Sequence, residues 1–235
     1  MTETTTDSGL DGLRVVVTRA AAQVAGLAEA LELAGADVLV RPLIRILPSS
    51  DEEALARAVA AVGTYDWVIF TSANAVDKFL NEVRRVGVRA GDLTRVRVAA
   101  VGPATAAALA DGGIRVDVLP RESLAEAIAA ELSAIVELAG KRVLWPRASA
   151  ARSELTSALE KEGARVEPIE AYRTEPDEAA GAALRREVAA GGVDLLTFTS
   201  PSTVMAFAGA GMELAGARVA VIGPVTAAEA RRQGL

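Results

Sequence analysis

Short apolar runs rich in Val, Ile and Leu alternate along the chain with longer stretches in which Ala and Leu recur at helical spacing. Runs of four or five apolar residues bounded by turn formers read as buried strands. Stretches of period 3.6, opened by Ser, Thr, Asp or Pro and often closed by Gly, read as helices. Strands are predicted at 14–18, 37–40, 67–70, 96–101, 115–118, 142–145, 195–198 and 218–222, with 42–48 irregular or extended and 166–173 extended. Helices are predicted at 22–34, 52–62, 73–86, 105–111, 123–138, 153–162, 179–190, 202–208 and 227–233. Gly35 closes the first of them, and Gly112-Gly113 closes the one at 105–111. Strands that alternate with helices predict an α/β protein whose parallel sheets are covered by helices on both faces.

The pattern occurs twice. Phe70-Thr71-Ser72 returns as Phe198-Thr199-Ser200, 128 residues later (198 − 70), and the same offset links Arg19 to Arg147 and Gly35-Ala36 to Gly163-Ala164. Val101-Gly102-Pro103-Ala104-Thr105 returns as Ile222-Gly223-Pro224-Val225-Thr226 at an offset of 121 (223 − 102). Two related copies predict two similar lobes, and a cleft between lobes is a common ligand site. The first copy continues through 113–138, whereas the second stops at Gly234-Leu235. One lobe is therefore expected without an edge strand and covering helix that its twin has.

Composition narrows the chemistry. The chain has no Cys and no His. That removes disulfides, thiolates, the common transition-metal ligands and the usual neutral-pH general base. A carboxylate-only Mg or Ca site remains open, but no acidic cluster reads as one. Aromatic residues make up 3% of the chain, so the core must be aliphatic. A net charge of −6 argues against a nucleic-acid surface. No segment reads as a membrane span. Residues 1–9 are polar and read as a disordered lead-in, not a signal sequence, which points to a cytoplasmic location.

Each Phe-Thr-Ser run is placed at the C-terminal end of a strand, just before a helix. This is the edge of a parallel sheet where ligands bind. Its Ser caps the helix, and spare N–H groups of the first turn attract anions. Each Gly-Pro-x-Thr run does the same on the neighbouring strand. Capping alone accounts for any single member; the functional reading rests on four such helix starts lining one cleft if the lobes face each other. Arg19 and Arg147 follow the first strand of each copy, where Arg can clamp a carboxylate or form a surface ion pair. Tyr172 lies in Glu170-Ala171-Tyr172-Arg173-Thr174, an ordinary place for a solvent-exposed strand tyrosine. Tyr65 and Trp67 read as strand-edge packing, and Trp145 as core. Neither a dinucleotide nor a P-loop fingerprint is present.

In these runs the chain resembles the uroporphyrinogen-III synthase family. The matching features are Phe-Thr-Ser-Ala-Asn-Ala-Val at 70–76, Val-Gly-Pro-Ala-Thr at 101–105, Ala-Tyr-Arg-Thr at 171–174, Phe-Thr-Ser-Pro-Ser at 198–202 and Ile-Gly-Pro-Val-Thr at 222–226. The resemblance implies exchanged lobes: 10–40 with 174–235 as the first, without the family's last strand and helix, and 47–167 as the second. The lobes are joined by linker strands at 41–46 and 168–173. It implies a monomeric, cofactor-free lyase that closes hydroxymethylbilane, a linear tetrapyrrole with eight carboxylates, inverting ring D and losing water. By motif position it makes Tyr172 the candidate proton donor. The substrate-binding candidates are Thr18, Arg19, Ser72, Asn74, Thr105, Arg147, Ser200, Ser202, Gly223 and Thr226, with Pro146 expected to bend the strand before Arg147.

Two other readings compete. The same fold serves as a sensing module beside DNA-binding domains, which would make this chain a non-enzymatic binder of tetrapyrroles or polyanions; no winged-helix or basic segment accompanies it here. A two-lobed periplasmic binder is disfavoured by the absence of a signal peptide.

Overall fold

The structure, a computed structural model, describes residues 9–120, 125–151, 153–208 and 212–235. Residues 1–8 of the expected lead-in, and 123–124 of the helix expected at 123–138, lie outside them. In chain order the elements are β1 (Arg14–Val17), α1 (Ala25–Leu33), β2 (Asp37–Val40), β3 (Ile44–Pro48), α2 (Glu52–Ala60), β4 (Trp67–Phe70), α3 (Ala73–Val86), α4 (Ala90–Leu93), β5 (Arg97–Ala100) and α5 (Pro103–Asp111). They continue with α6 (Ala125–Ile135), β6 (Arg142–Ala148), α7 (Glu154–Lys161), β7 (Arg165–Pro176), α8 (Glu178–Ala189), β8 (Leu195–Phe198), α9 (Pro201–Phe207), β9 (Arg218–Val221) and α10 (Pro224–Arg232). Single 3-10 turns at Ala21–Gln23 and Val62–Thr64 stand where the sequence pattern extends the neighbouring helices.

The strands form two sheets, one ordered β2-β1-β8-β9 and the other β3-β7-β6-β4-β5. Every pair within β2-β1-β8-β9 and within β7-β6-β4-β5 is parallel, as the alternation of strands and helices requires. β4 and the last three residues of β1 are apolar without interruption because both of their faces are covered. Val15, Val16 and Val17 of β1 and Val68, Ile69 and Phe70 of β4 are 0–1% exposed. The chain divides into two compact units: unit 1 holds the residues up to Ile46 and Thr174–Leu235, and unit 2 holds Leu47–Arg173. The division falls inside β3 and β7.

Each unit has its own core. In unit 1, Val16, Leu43, Leu184, Leu196, Phe198 and Phe207 pack together, drawing on β1, α8, β8 and α9. In unit 2, Trp67, Ile69, Ile128, Leu132, Trp145, Leu155 and Leu159 do the same, drawing on β4, α6, β6 and α7. Each large side chain so buried contributes about 1.5–3 kcal/mol. The twin residues are not equally covered. Leu155 and Leu159 are 0% exposed beside α6, whereas their counterparts Leu27 and Leu31 in α1 are only half-buried.

Several local expectations change. Trp67 is not at a sheet edge: β4 lies between β6 and β5, and the indole is 2% exposed. Pro146 does not end its strand. β6 runs through it, and the irregularity comes one residue later, between Arg147 and Ala148, where the pairing with β7 slips by one. Of the strand expected at 115–118, only an isolated bridge from Val118 to Ala99 forms. The segment expected as irregular or extended at 42–48 contains β3, and the one at 166–173 is part of the longer β7.

Candidate functional site

In unit 2 the C-terminal ends of β4, β6 and β7 gather Ser72, Arg147 and Tyr172. Ser72 leaves β4 with extended backbone (φ −158°, ψ 149°) and caps α3, its Oγ accepting from the Ala75 N–H at 3.2 Å. The same Oγ is 3.1 Å from the Tyr172 hydroxyl, 100 residues away in sequence. Tyr172 is 6% exposed, and its carbonyl accepts from the Ser149 N–H at 3.0 Å, so both backbone and ring are held. β6 lies between β7 and β4, and Arg147 stands at its end. One terminal nitrogen of Arg147 donates to the Ala151 carbonyl, and the guanidinium lies 5.5 Å from the Trp145 ring centre. Its Nε is buried without a partner. Asn74, in the first turn of α3, is half-buried. Thr105 lies in the first turn of α5, is 4% exposed and follows Gly102, whose φ of 84° favours glycine.

Unit 1 repeats the plan with different partners. Ser200 caps α9, accepting from the Thr203 N–H at 3.3 Å, and its Oγ is 2.9 Å from that of Ser202. No phenol joins this cap, because the residue 128 positions before Tyr172 is Ile44. Arg19 follows β1, and its Nε is also buried without a partner. It borders a cavity of about 290 Å³ with Leu27, Leu31, Leu195 and Ile222. Gly223 precedes α10 with a φ of 127°. A Cβ built there meets nothing within 4 Å, so backbone conformation and not a close approach explains the glycine. Thr226 is 4% exposed.

Buried donors left unpaired are rare in native proteins, and each needs an explanation. Here the same orphan, an arginine Nε, occurs at equivalent places in the two units. A carboxylate ligand would satisfy both. The groups with the clearest titration shifts lie elsewhere. Burial and a hydrogen bond to the Glu167 carboxylate hold the Tyr65 phenol far above its ordinary range. The Arg142 backbone N–H, then Lys141, hold the Asp66 carboxyl below its ordinary range. Both precede β4, at the edge opposite Ser72. Among the described residues no group of three or more carboxylates is placed to hold a metal ion, and no helix is long and apolar enough to cross a membrane.

The family model of uroporphyrinogen-III synthase, HemD, matches residues 25–235. The chain belongs to the uroporphyrinogen-III synthase family. It is 34% identical over 232 residues to the uroporphyrinogen-III synthase of Synechococcus elongatus, covering 92% of this chain and 85% of that protein. Among solved structures, it resembles a mutant uroporphyrinogen III synthase from Thermus thermophilus, with a TM-score of 0.66 at 21% identity, covering 95% of this chain and 90% of that one. It also resembles the Helicobacter pylori enzyme, with a TM-score of 0.59 at 19% identity, covering 95% and 90%. These two likenesses establish the α/β fold.

Within the synthase family reading, the expected site residues divide. Ser72 and Tyr172 come together, Arg147 stands at the end of the strand between theirs with its side chain on Ala151 and Trp145, and Tyr172 is buried where the strand pattern alone reads as exposed. Ser200 and Ser202 share one hydroxyl cluster with Thr203. Thr18 is 0% exposed, and its hydroxyl donates to the Thr197 carbonyl at 2.7 Å, so it ties β1 to β8. Two polar features were missed by sequence reasoning. The Thr71 hydroxyl accepts from the Trp145 indole N–H at 3.3 Å. Glu170 accepts from the N–H and hydroxyl of Ser50 at 2.6 and 2.9 Å, fixing the entry to α2. Thr71 was visible inside the repeated motif; Glu170 had no signal beyond its nearness to Tyr172.

Proposed function

We infer that this chain is a uroporphyrinogen-III synthase, a lyase of tetrapyrrole biosynthesis that closes hydroxymethylbilane to uroporphyrinogen III with inversion of ring D and loss of water. The family match over residues 25–235 carries the reading. The substrate brings eight carboxylates, and the unpaired Nε donors of Arg19 and Arg147 suit such groups. The capped starts of α3 and α9 and the Gly-Pro starts of α5 and α10 add positive backbone ends that suit anions. An acidic protein, at net charge −6, needs local positive ends of this kind to hold a polyanion.

The linear substrate also closes without enzyme, to the uninverted isomer, so the main task is positional. Binding the side-chain carboxylates selects the geometry in which ring D closes inverted. The chemical step breaks the C–O bond of the terminal hydroxymethyl group, and its oxygen leaves as water after gaining a proton. Tyr172 is the proposed donor. The cation left on the substrate is favoured by the negative field of the protein. The reaction needs no cofactor, and the protein works as a cytoplasmic monomer.

The test is a coupled assay in which hydroxymethylbilane is generated in place and the products are oxidised and separated. Wild-type protein is expected to give an excess of type III uroporphyrin. Tyr172→Phe is expected to slow that excess by about 10- to 100-fold without abolishing it, at or below the roughly 100-fold lower bound of what one proton donor typically contributes. Type I product alone from folded wild type would overturn the assignment.

A further inference from the structure

We propose that Ser72 is a positioning residue for Tyr172, tying its phenol to the start of α3 so that the phenolic proton points at the leaving hydroxyl and the oxygen left behind is stabilised. This rests on the synthase reading above and assigns Ser72 a role other than substrate contact.

A serine hydroxyl has one hydrogen to give and two lone pairs. Ser72 uses one lone pair on the Ala75 N–H. Its hydrogen and its other lone pair remain for the Tyr172 hydroxyl at 3.1 Å. When Ser72 donates to the phenol oxygen, the phenolic hydrogen is directed away from Ser72. As the substrate C–O bond breaks, its electrons pass to oxygen, the phenolic proton joins that oxygen, and water departs. The phenolate then accepts the Ser72 O–H in a charge-assisted bond. The Ala75 N–H polarises that hydroxyl from the positive end of a 14-residue helix. Ring closure releases one proton from the substrate cation, which restores the phenol.

Capping alone does not account for the arrangement. Ser200 caps α9 in the same way with no phenol near it, so the bond to Tyr172 is an addition in unit 2. Among the described residues the Tyr172 hydroxyl has Ser72 as its hydrogen-bond partner, so the direction of its proton depends on that neighbour.

The experiment compares Ser72→Ala, Ser72→Asp and Ser72→Thr in the coupled assay and by carbon NMR of protein labelled at the tyrosine ring carbon that bears the oxygen. The chain has two tyrosines, so the spectrum has two signals, and Tyr172→Phe identifies one of them. Asp keeps the cap but has no hydrogen to give when ionised; Thr keeps both functions. Ser72→Ala and Ser72→Asp are expected to lower kcat about tenfold or more with KM within about twofold. Ser72→Thr is expected to recover most of that loss. The double variant Ser72→Ala/Tyr172→Phe should be no slower than Tyr172→Phe, as for residues acting as one unit. The Tyr172 signal should move in Ser72→Ala while that of Tyr65 stays.

A raised KM with kcat unchanged would make Ser72 a substrate ligand and overturn the proposal. So would full activity in Ser72→Asp, or an unmoved Tyr172 signal. A wild type that yields only type I product would overturn the synthase reading and the catalytic part of this one together, and the NMR shift would show separately whether the two hydroxyls are coupled.

Discussion

At the scale of single residues, some hydroxyl groups hold strands together and others cap helices. Thr18 and Thr197 each tie β1 to β8: Thr18 donates to the Thr197 carbonyl at 2.7 Å, and Thr197 donates to the Val16 carbonyl at 2.8 Å. Both are buried, so Thr18→Val loses a hydrogen bond without a cavity and should cost about 1 kcal/mol in denaturant unfolding. Its KM for hydroxymethylbilane should not change. A raised KM at unchanged stability would return Thr18 to the binding set. The sequence showed Ser72 as a helix cap because a cap is a local event, fixed by the next three residues. Its bond to Tyr172 spans 100 residues and has no local signature. The Thr18 bond to Thr197 is invisible for the same reason: its partner is 179 residues away.

At the scale of elements, α8 meets α9 through a glycine. A Cβ on Gly181 would lie 2.6 Å from the Ala206 carbonyl oxygen, and the Arg185 guanidinium donates to the neighbouring Phe207 carbonyl at 2.9 Å. Helix propensity alone favours Ala over Gly by about 1 kcal/mol. Here overpacking against backbone opposes it, at about 1–3 kcal/mol. Gly181→Ala is therefore expected to lower stability in thermal unfolding, while a gain would mean that α8 and α9 can move apart. Elements bounded by strong local signals were legible. β4, α3 and β8 fall where the sequence places them, because an apolar run meets a Ser cap or a Pro at the first helical position. The residue pattern alone did not assign β3 as a strand, because Pro42 precedes it and Pro48 ends it and prolines weaken a strand reading. The strand expected at 115–118 had the composition but little pairing: Val118 alone bridges to Ala99.

At the scale of the whole molecule, the parallel α/β class followed from the alternation of elements. The repeat showed that two copies are alike, but likeness does not say which strands pair, and pairing decides which segments share a core. Charge acts on both units alike. Asp66 is held low by the Arg142 N–H and Lys141, and Glu229 by Arg232 and then Gln233. A carboxyl depressed by folding adds stability that is present above its unfolded pKa, near 4, and is lost as pH falls through its folded value. With no His, no side chain of ordinary pKa titrates between about pH 6 and 8. Stability measured by denaturant should be flat across that range and fall below about pH 4, less steeply in Asp66→Asn. A histidine-like step near pH 6.5 would refute this account. The order of the first sheet also has a consequence for synthesis. β1 leaves the ribosome early, yet one of its two neighbours, β8, follows about 180 residues later. At roughly 5–20 residues per second that is an interval of about 9–36 s. Through it one long edge of β1 waits unpaired while every residue of unit 2 is made. β1 is thus enclosed only after unit 2 has been made, and until then its open edge is exposed to pairing with the wrong strand.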